Sequence, residues 1–270
     1  MSQATAPSYA DVVDLTRYPI NDLDGDRGRA FIAACREELL RTGVCQLSGF
    51  MVQDAVDRMV EQAIALAPSA FRTDNTHTVY FESTDESVSP DHPRSAQQRS
   101  AKQTIACDQI PMDSPIRRLY ESDDLVRFIA AVLRKDKLYR SADPLDAVMI
   151  AMFEDGDELG WHFDRSEFAV TVMYQDADEG GHFDYYPALR SAESENYGGV
   201  ARVLEGNSDG IIRLTSSPGT LAIFHGRHAL HRVSPTAGAK PRINSVITYG
   251  EDADMRLNEL TQDLFYGRAE

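Results

Sequence analysis

Five of the seven histidines in this chain fall between positions 162 and 231, and two of them stand in an H-x-D tripeptide. In an extended segment residues i and i+2 point to the same face. His162 and Asp164, in Gly160-Trp161-His162-Phe163-Asp164, can therefore offer an imidazole and a carboxylate to one cation. A further imidazole comes from the run Pro218-Gly-Thr-Leu-Ala-Ile-Phe-His-Gly-Arg-His-Ala-Leu-His231, and Arg242 follows eleven residues later. Two histidines and one carboxylate on one face, with the other positions open, are a donor set for non-haem Fe(II), and the open positions admit small reactants. Arg242 adds a planar guanidinium that matches a carboxylate bidentately and stays charged when buried.

A duplicate complicates the assignment, because His182-Phe183-Asp184 repeats the tripeptide. The first copy is followed by a full β-prone run, Phe168–Tyr174, and then by the Gly180-Gly181 turn. The second starts directly after that turn and runs into Tyr185-Tyr186-Pro187, as an ordinary returning strand would. The first copy is therefore the expected ligand pair. His225 and His228 are read as core or supporting residues, and Trp161 as packing beside the first ligand.

The elements that must position these residues follow from periodicity. Phe31, Cys35 and Leu39 recur at i, i+4 and i+8 after Asp24 and Asp26, and Gly43 closes a helix. Val44–Phe50 reads as a strand. Further helical patterns run from Val56 towards Pro68 and over Ile116–Leu133. Residues 1–8 read as a loose tail, and residues 82–100 as a long polar loop: a lid, a binding loop or a disordered segment. From Leu145 short β-prone runs dominate: Ala147–Phe153, Phe168–Tyr174, Phe183–Tyr186, Thr220–Phe224 and Ile243–Tyr249, with an excursion over 190–210 that is part helix. The expected architecture is α+β: one domain over 1–270, with a mainly helical flank and substrate lid (1–144), an antiparallel β-barrel core (145–250) and a C-terminal helix or tail (251–270).

The combination of H-x-D, a glycine-rich turn, a distal histidine and an arginine about ten residues beyond resembles the iron(II)/2-oxoglutarate-dependent oxygenases. The resemblance covers roughly residues 145–250. It implies a double-stranded β-helix (jelly-roll, cupin-like) core, iron on His162, Asp164 and His231, and the distal carboxylate of 2-oxoglutarate on Arg242. Relatives often place a hydroxyl two residues after this arginine; here Asn244 stands there and Ser245 follows. The fuller string WHFDRSEFAVTV…EGGHFDYYP…PGTLAIFHGRHALHRVSP…RINSVITY is similar to a subgroup acting on free amino acids, which includes hydroxylases and radical halogenases of lysine. Halogenases of that kind replace the carboxylate ligand by a small residue, opening a position for chloride. Asp164 fills that position, so hydroxylation is the expected outcome, with O2 as co-reactant and succinate and CO2 released. Desaturation or ring closure is the alternative ending. A lysine-acting relative would carry a carboxylate after the metal motif, where this chain has Arg165, which points to neutral or acidic amino acids.

For the substrate, Arg99 is the expected carboxylate clamp and Asp146 the expected amine acceptor, with Arg165 beside the metal motif and open to pairing with Glu167. The acidic residues Glu154, Asp155 and Asp157 read as a solvated loop. The chain's 43 acidic and 27 basic residues give a net charge of −16, which argues against nucleic acid and anionic membranes as partners. Three scattered cysteines, no C-x-x-C pair and no long apolar run are read as a soluble cytoplasmic protein, compatible with a homodimer. A zinc hydrolase using the same three ligands would leave Arg242 without a role. A cupin-like small-acid binding protein would bind without turnover.

Overall fold

The computed structural model describes residues 8–82 and 87–269. Helix α1 (Asp26–Thr42) buries Ile32, Cys35 and Leu39 along one stripe. Gly43 ends it at φ 80°, a left-handed conformation from which its N–H caps the Leu39 carbonyl. The chain passes at once into β1 (Val44–Leu47), then α2 (Gln53–Leu66) and β2 (Phe71–Thr78). β2 was not expected: its sequence FRTDNTHT has no apolar alternation, yet it pairs along its whole length with β3 (Gln97–Ile105). Of the polar loop expected over 82–100, residues 97–100 thus belong to β3, and residues 83–86 lie outside the described residues. The expected tail over residues 1–8 also lies outside them except for Ser8.

The single helix expected over Ile116–Leu133 is two, α3 (Pro115–Tyr120) and α4 (Asp123–Leu133). The break falls at Ser122, whose hydroxyl accepts the Asp124 N–H and caps the second helix. After β4 (Tyr139–Arg140) come β5 (Val148–Phe153), β6 (Glu158–His162), β7 (Ala169–Gln175), β8 (Glu179–Gly180) and β9 (Phe183–Tyr186). The excursion holds α5 (Tyr197–Leu204). Then follow β10 (Ile212–Leu214), β11 (Leu221–Phe224), β12 (Leu230–Val233), β13 (Thr236–Ala237), β14 (Arg242–Ile247), β15 (Tyr249–Gly250) and α6 (Glu259–Tyr266).

Eleven strands form one antiparallel sheet in the order β1-β11-β7-β14-β5-β3-β6-β12-β9-β10, with β2 on β3. The sheet curls on itself, because Val44, Ala222 and Phe224 from one end pack against Phe183, Tyr185 and Leu214 from the other. This is the jelly-roll core expected from the sequence. Side-chain alternation gives it an inside and an outside. Val148, Ile150, Val170, Val172, Leu221, Ile223 and Ile243 point outward into a core shared with α1–α4. On the opposite wall Trp161, Phe163 and Leu230 pack outward against Val200 and Val203 of α5. The residues between them, at alternate positions, line a cavity of about 520 Å³.

Helix α6 covers this cavity, lying against β2 and β3. The buried Asp143 carboxylate ties its approach down: it accepts the N–H groups of Leu145 (2.8 Å), Asp146 (3.3 Å) and Leu257 (2.9 Å), and Nε2 of Gln262 (2.9 Å). Asp143→Ala strands these donors where water cannot replace the carboxylate. It should cost about 3 kcal/mol, read as a fall of at least roughly 6 °C in melting temperature.

Candidate metal centre

β6 and β12 run side by side with His162 opposite His231, but the next partners are Leu159 and Val233. Two steps on β12 match three on β6, so β6 carries a one-residue bulge between Leu159 and His162. The bulge turns both Leu159 and His162 into the cavity. It also presses the β6 backbone against β3: a Cβ on Gly160 would lie 2.7 Å from the Gln98 Cβ and 2.8 Å from the Arg99 carbonyl oxygen.

The two imidazoles are held alike. His162 Nδ1 faces the Gly160 carbonyl at 2.8 Å, and His231 Nδ1 faces the Ala229 carbonyl at 2.9 Å. A carbonyl can only accept, so each Nδ1 carries a proton, and in the neutral imidazole Nε2 is then the lone pair that can bind a metal. Both Nε2 atoms point at Asp164 Oδ1, at 3.7 and 3.4 Å, and the three donors all lie within 4.8 Å of one another. Burial, reinforced by His231, holds the His162 imidazole well below its ordinary pKa, so it is a neutral ligand. Burial works to raise the pKa of Asp164, yet on balance it lies below its ordinary value, and the carboxylate is ionised at neutral pH.

Gly226 sets where that carboxylate lies. Its carbonyl accepts the Asp164 N–H at 3.1 Å, and a Cβ there would stand 1.8 Å from Asp164 Oδ2. Gly226→Ala should therefore displace the carboxylate and weaken Fe(II) binding at least about tenfold, as loss of an orienting contact does. Metal titration followed by circular dichroism checks both the loss and the retained fold.

The second H-x-D copy obeys the same i, i+2 geometry on the wrong face. Phe183 and Tyr185 point inward, which sends His182 and Asp184 outward. His182 is exposed, and buried Asp184 is taken by Arg213 (2.8 Å) and Arg232 (3.0 Å). Trp161 is packing, with the Arg232 guanidinium 4.7 Å from its ring centroid.

Arg242 reaches the cavity from β14, across the roll from the ligands. It is 8% exposed, its Nε has no hydrogen-bond partner among the described residues, and no acidic side chain pairs with it. Burial draws its pKa down to about 10, and the guanidinium stays charged at neutral pH. Asn244 shares its face and accepts a hydrogen bond from Nη1. Ser245 points the other way and accepts the Tyr174 hydroxyl at 2.8 Å, so it offers the cavity nothing. A buried cation without a protein anion, in one cavity with a two-histidine, one-carboxylate set, fits an Fe(II) ion and the free carboxylate end of 2-oxoglutarate.

Of the other expected site residues, Asp146 lines the cavity and Arg165 sits exposed at its mouth, 3.5 Å from the Thr261 hydroxyl. Glu167 pairs with Lys135 at 2.8 Å rather than with Arg165. Asp157 is not a solvated loop residue; it is fully buried on Arg72. Arg99 is corrected: it points out of the roll to Asp74 (3.1 Å) and Glu158 (3.3 Å) and does not line the cavity. Three places along β3, on the opposite face, Lys102 does line it. Sequence reasoning missed this residue because the start of β3 lay hidden in polar residues, and without it Lys102 could not be assigned a face. His77 was also missed; its ring meets His162 edge-on at 6.0 Å, and its Nε2 bonds Ser100 Oγ at 2.6 Å.

The family model described as halogenase D matches residues 28–266. The chain belongs to this family. No functionally curated protein matches it. Among solved structures it is similar to AviO1 of Streptomyces viridochromogenes Tue57 (17% identity, TM-score 0.56, covering 84% of this chain and 97% of that one). It is also similar to the non-haem α-ketoglutarate-dependent epimerase SnoN from nogalamycin biosynthesis (14%, 0.55, 82% and 83%). A third is a 2OG-Fe(II) oxygenase family oxidoreductase of Burkholderia pseudomallei (15%, 0.50, 82% and 91%). These likenesses establish the fold. With the family and the triad, they place this halogenase D family member among the non-haem-iron, 2-oxoglutarate-dependent enzymes. Among its described residues no helix is long and apolar enough to cross a membrane.

Proposed function

We propose that this chain hydroxylates an unactivated C–H bond of a free amino acid or close analogue, despite the halogenating activity in its family's description. The observation that carries this reading is Asp164: its carboxylate stands between His162 and His231, and the Gly226 backbone lies against it. A halide would need that place. The iron and 2-oxoglutarate, when bound, supply an oxidant able to take hydrogen from such a bond, with release of succinate and CO2.

The chain's own residues do the positioning. His162, Asp164 and His231 fix one face of the metal. Arg242, oriented by Asn244, holds the far carboxylate of the cosubstrate across the roll. Phe153, Leu159, Phe183 and Phe224 wall the space between them and keep water from it. Of the other charged residues that line the cavity, Glu82 and Arg165 are exposed and Arg232 is paired with Asp184, which leaves Lys102 and Asp146, of opposite sign, as a small zwitterion requires.

The test is anaerobic addition of Fe(II) and 2-oxoglutarate, followed by O2 and a panel of proteinogenic amino acids in chloride buffer. The expected results are a weak visible charge-transfer band, succinate, and a product heavier by one oxygen. A chlorinated product overturns hydroxylation. Loss of two hydrogens gives desaturation or ring closure instead. Zinc retention with no band and no succinate returns the site to a hydrolase or a binding protein.

A further inference from the structure

Lys102 is a buried cation that neither the metal nor the cosubstrate uses. It is 3% exposed and lines the cavity, and its ammonium makes no hydrogen bond or ion pair among the described residues. The Phe265 ring of α6 lies over it, with the centroid 4.9 Å from Nζ. A lysine buried this way is costly unless something of opposite charge arrives. The carboxylates it feels are Asp146 and Asp164, and Asp164 is committed to the histidines.

Asp146 differs from its neighbour Asp143. Asp143 is saturated by four donors. Among the described residues Asp146 receives only the Tyr266 hydroxyl at 2.7 Å and the Thr248 hydroxyl at 3.0 Å, whereas a carboxylate can accept about four hydrogen bonds. It faces the same cavity, beneath the same helix. Two opposite charges, both short of partners and both under α6, present the inverse of an ammonium and a carboxylate on one small molecule.

We propose that Lys102 is the carboxylate anchor of the substrate and Asp146 the acceptor of its amine, so the α-amino-acid end lies under α6 and the carbon chain runs towards His162 and His231. This deepens the function proposed above and rests on it. Phe265 and Tyr266 close over the charged end. Met149 and Phe168 line the cavity without offering polar groups, so that part of the wall suits an apolar carbon chain. Arg99, on the outer face of the same strand, has no part in it.

The experiment compares wild type, Lys102→Met and Lys102→Arg, each loaded anaerobically with Fe(II) and 2-oxoglutarate. Binding is read from the perturbation of the visible band by proteinogenic amino acids and by the amines that lack their carboxylate. Wild type should bind its preferred amino acid roughly 10- to 100-fold more tightly than the matching amine. Lys102→Met should keep the band and the affinity for the amine, but lose that preference. Lys102→Arg should retain part of it. A structural role for Lys102 would weaken both ligands alike. An unchanged preference in Lys102→Met, or a wild type that forms the band but distinguishes no amino acid from its amine, overturns the proposal. If Lys102→Met does not fold, Lys102→Gln, which keeps a polar side chain of similar length without the charge, takes its place in the comparison. Absence of the band in wild type would instead be a failure of the iron and 2-oxoglutarate reading.

Discussion

Asp164→Ala should abolish succinate formation and weaken Fe(II) binding more than about a hundredfold, while His182→Ala leaves both untouched. Removing a group that only orients a ligand costs roughly 10- to 100-fold in metal affinity, and here the ligand itself is removed. The loss is also electrostatic. His162 is held neutral by burial, so Asp164 is the anion that offsets the ion's charge between the two Nε2 atoms. Because both imidazoles are oriented by backbone carbonyls rather than by Asp164, their geometry should survive the substitution. Circular dichroism should be unchanged, and iron titration with a succinate assay measures the effect. Comparable iron binding by Asp164→Ala, or its loss in His182→Ala, would exchange the two copies.

The metal ligands were legible in the sequence because their geometry is local. An i, i+2 pair in a strand shares a face whatever the rest of the fold does, and the turn order separated the two copies. What the sequence could not supply was which face each copy takes. That is set by Phe183 and Tyr185 turning inward to close the two ends of the curled sheet. The same limit explains Arg99 and Lys102. One strand carries both, and a strand whose start is unknown gives no parity, so the sequence points to Arg99 and leaves Lys102 without a face. β2 escaped notice for a related reason. Its inner face receives α6 and its outer face holds the Arg72 and Asp74 ion pairs, so it lacks the half-apolar alternation that marks a strand. The bulge in β6 leaves only Gly160 as its trace. That glycine serves close approach to β3, a tertiary contact invisible in the chain.

Arg242→Met should act in opposite directions on stability and on cosubstrate binding. Without ligand the guanidinium is buried, has an unpartnered Nε and has only the Asn244 amide as a hydrogen-bonded neighbour, so its desolvation goes largely uncompensated. A methionine fills similar space without that cost, and replacing buried charge by apolar volume commonly stabilises by about 1–4 kcal/mol. At the lower end, the melting temperature of the ligand-free variant should rise by roughly 2–4 °C. The affinity for 2-oxoglutarate should fall by about a hundredfold or more, because the dianion's far carboxylate then enters an apolar wall with no paired cation. Added 2-oxoglutarate should raise the melting temperature of wild type and not that of the variant. Arg242→Lys should fall between them, keeping the charge but losing the planar two-point contact and the Asn244 bond that orients it. Thermal melts with and without 2-oxoglutarate, beside its KM in the succinate assay, separate the two effects. A variant that loses stability while keeping its KM would make Arg242 a structural residue and move the cosubstrate anchor elsewhere in the cavity.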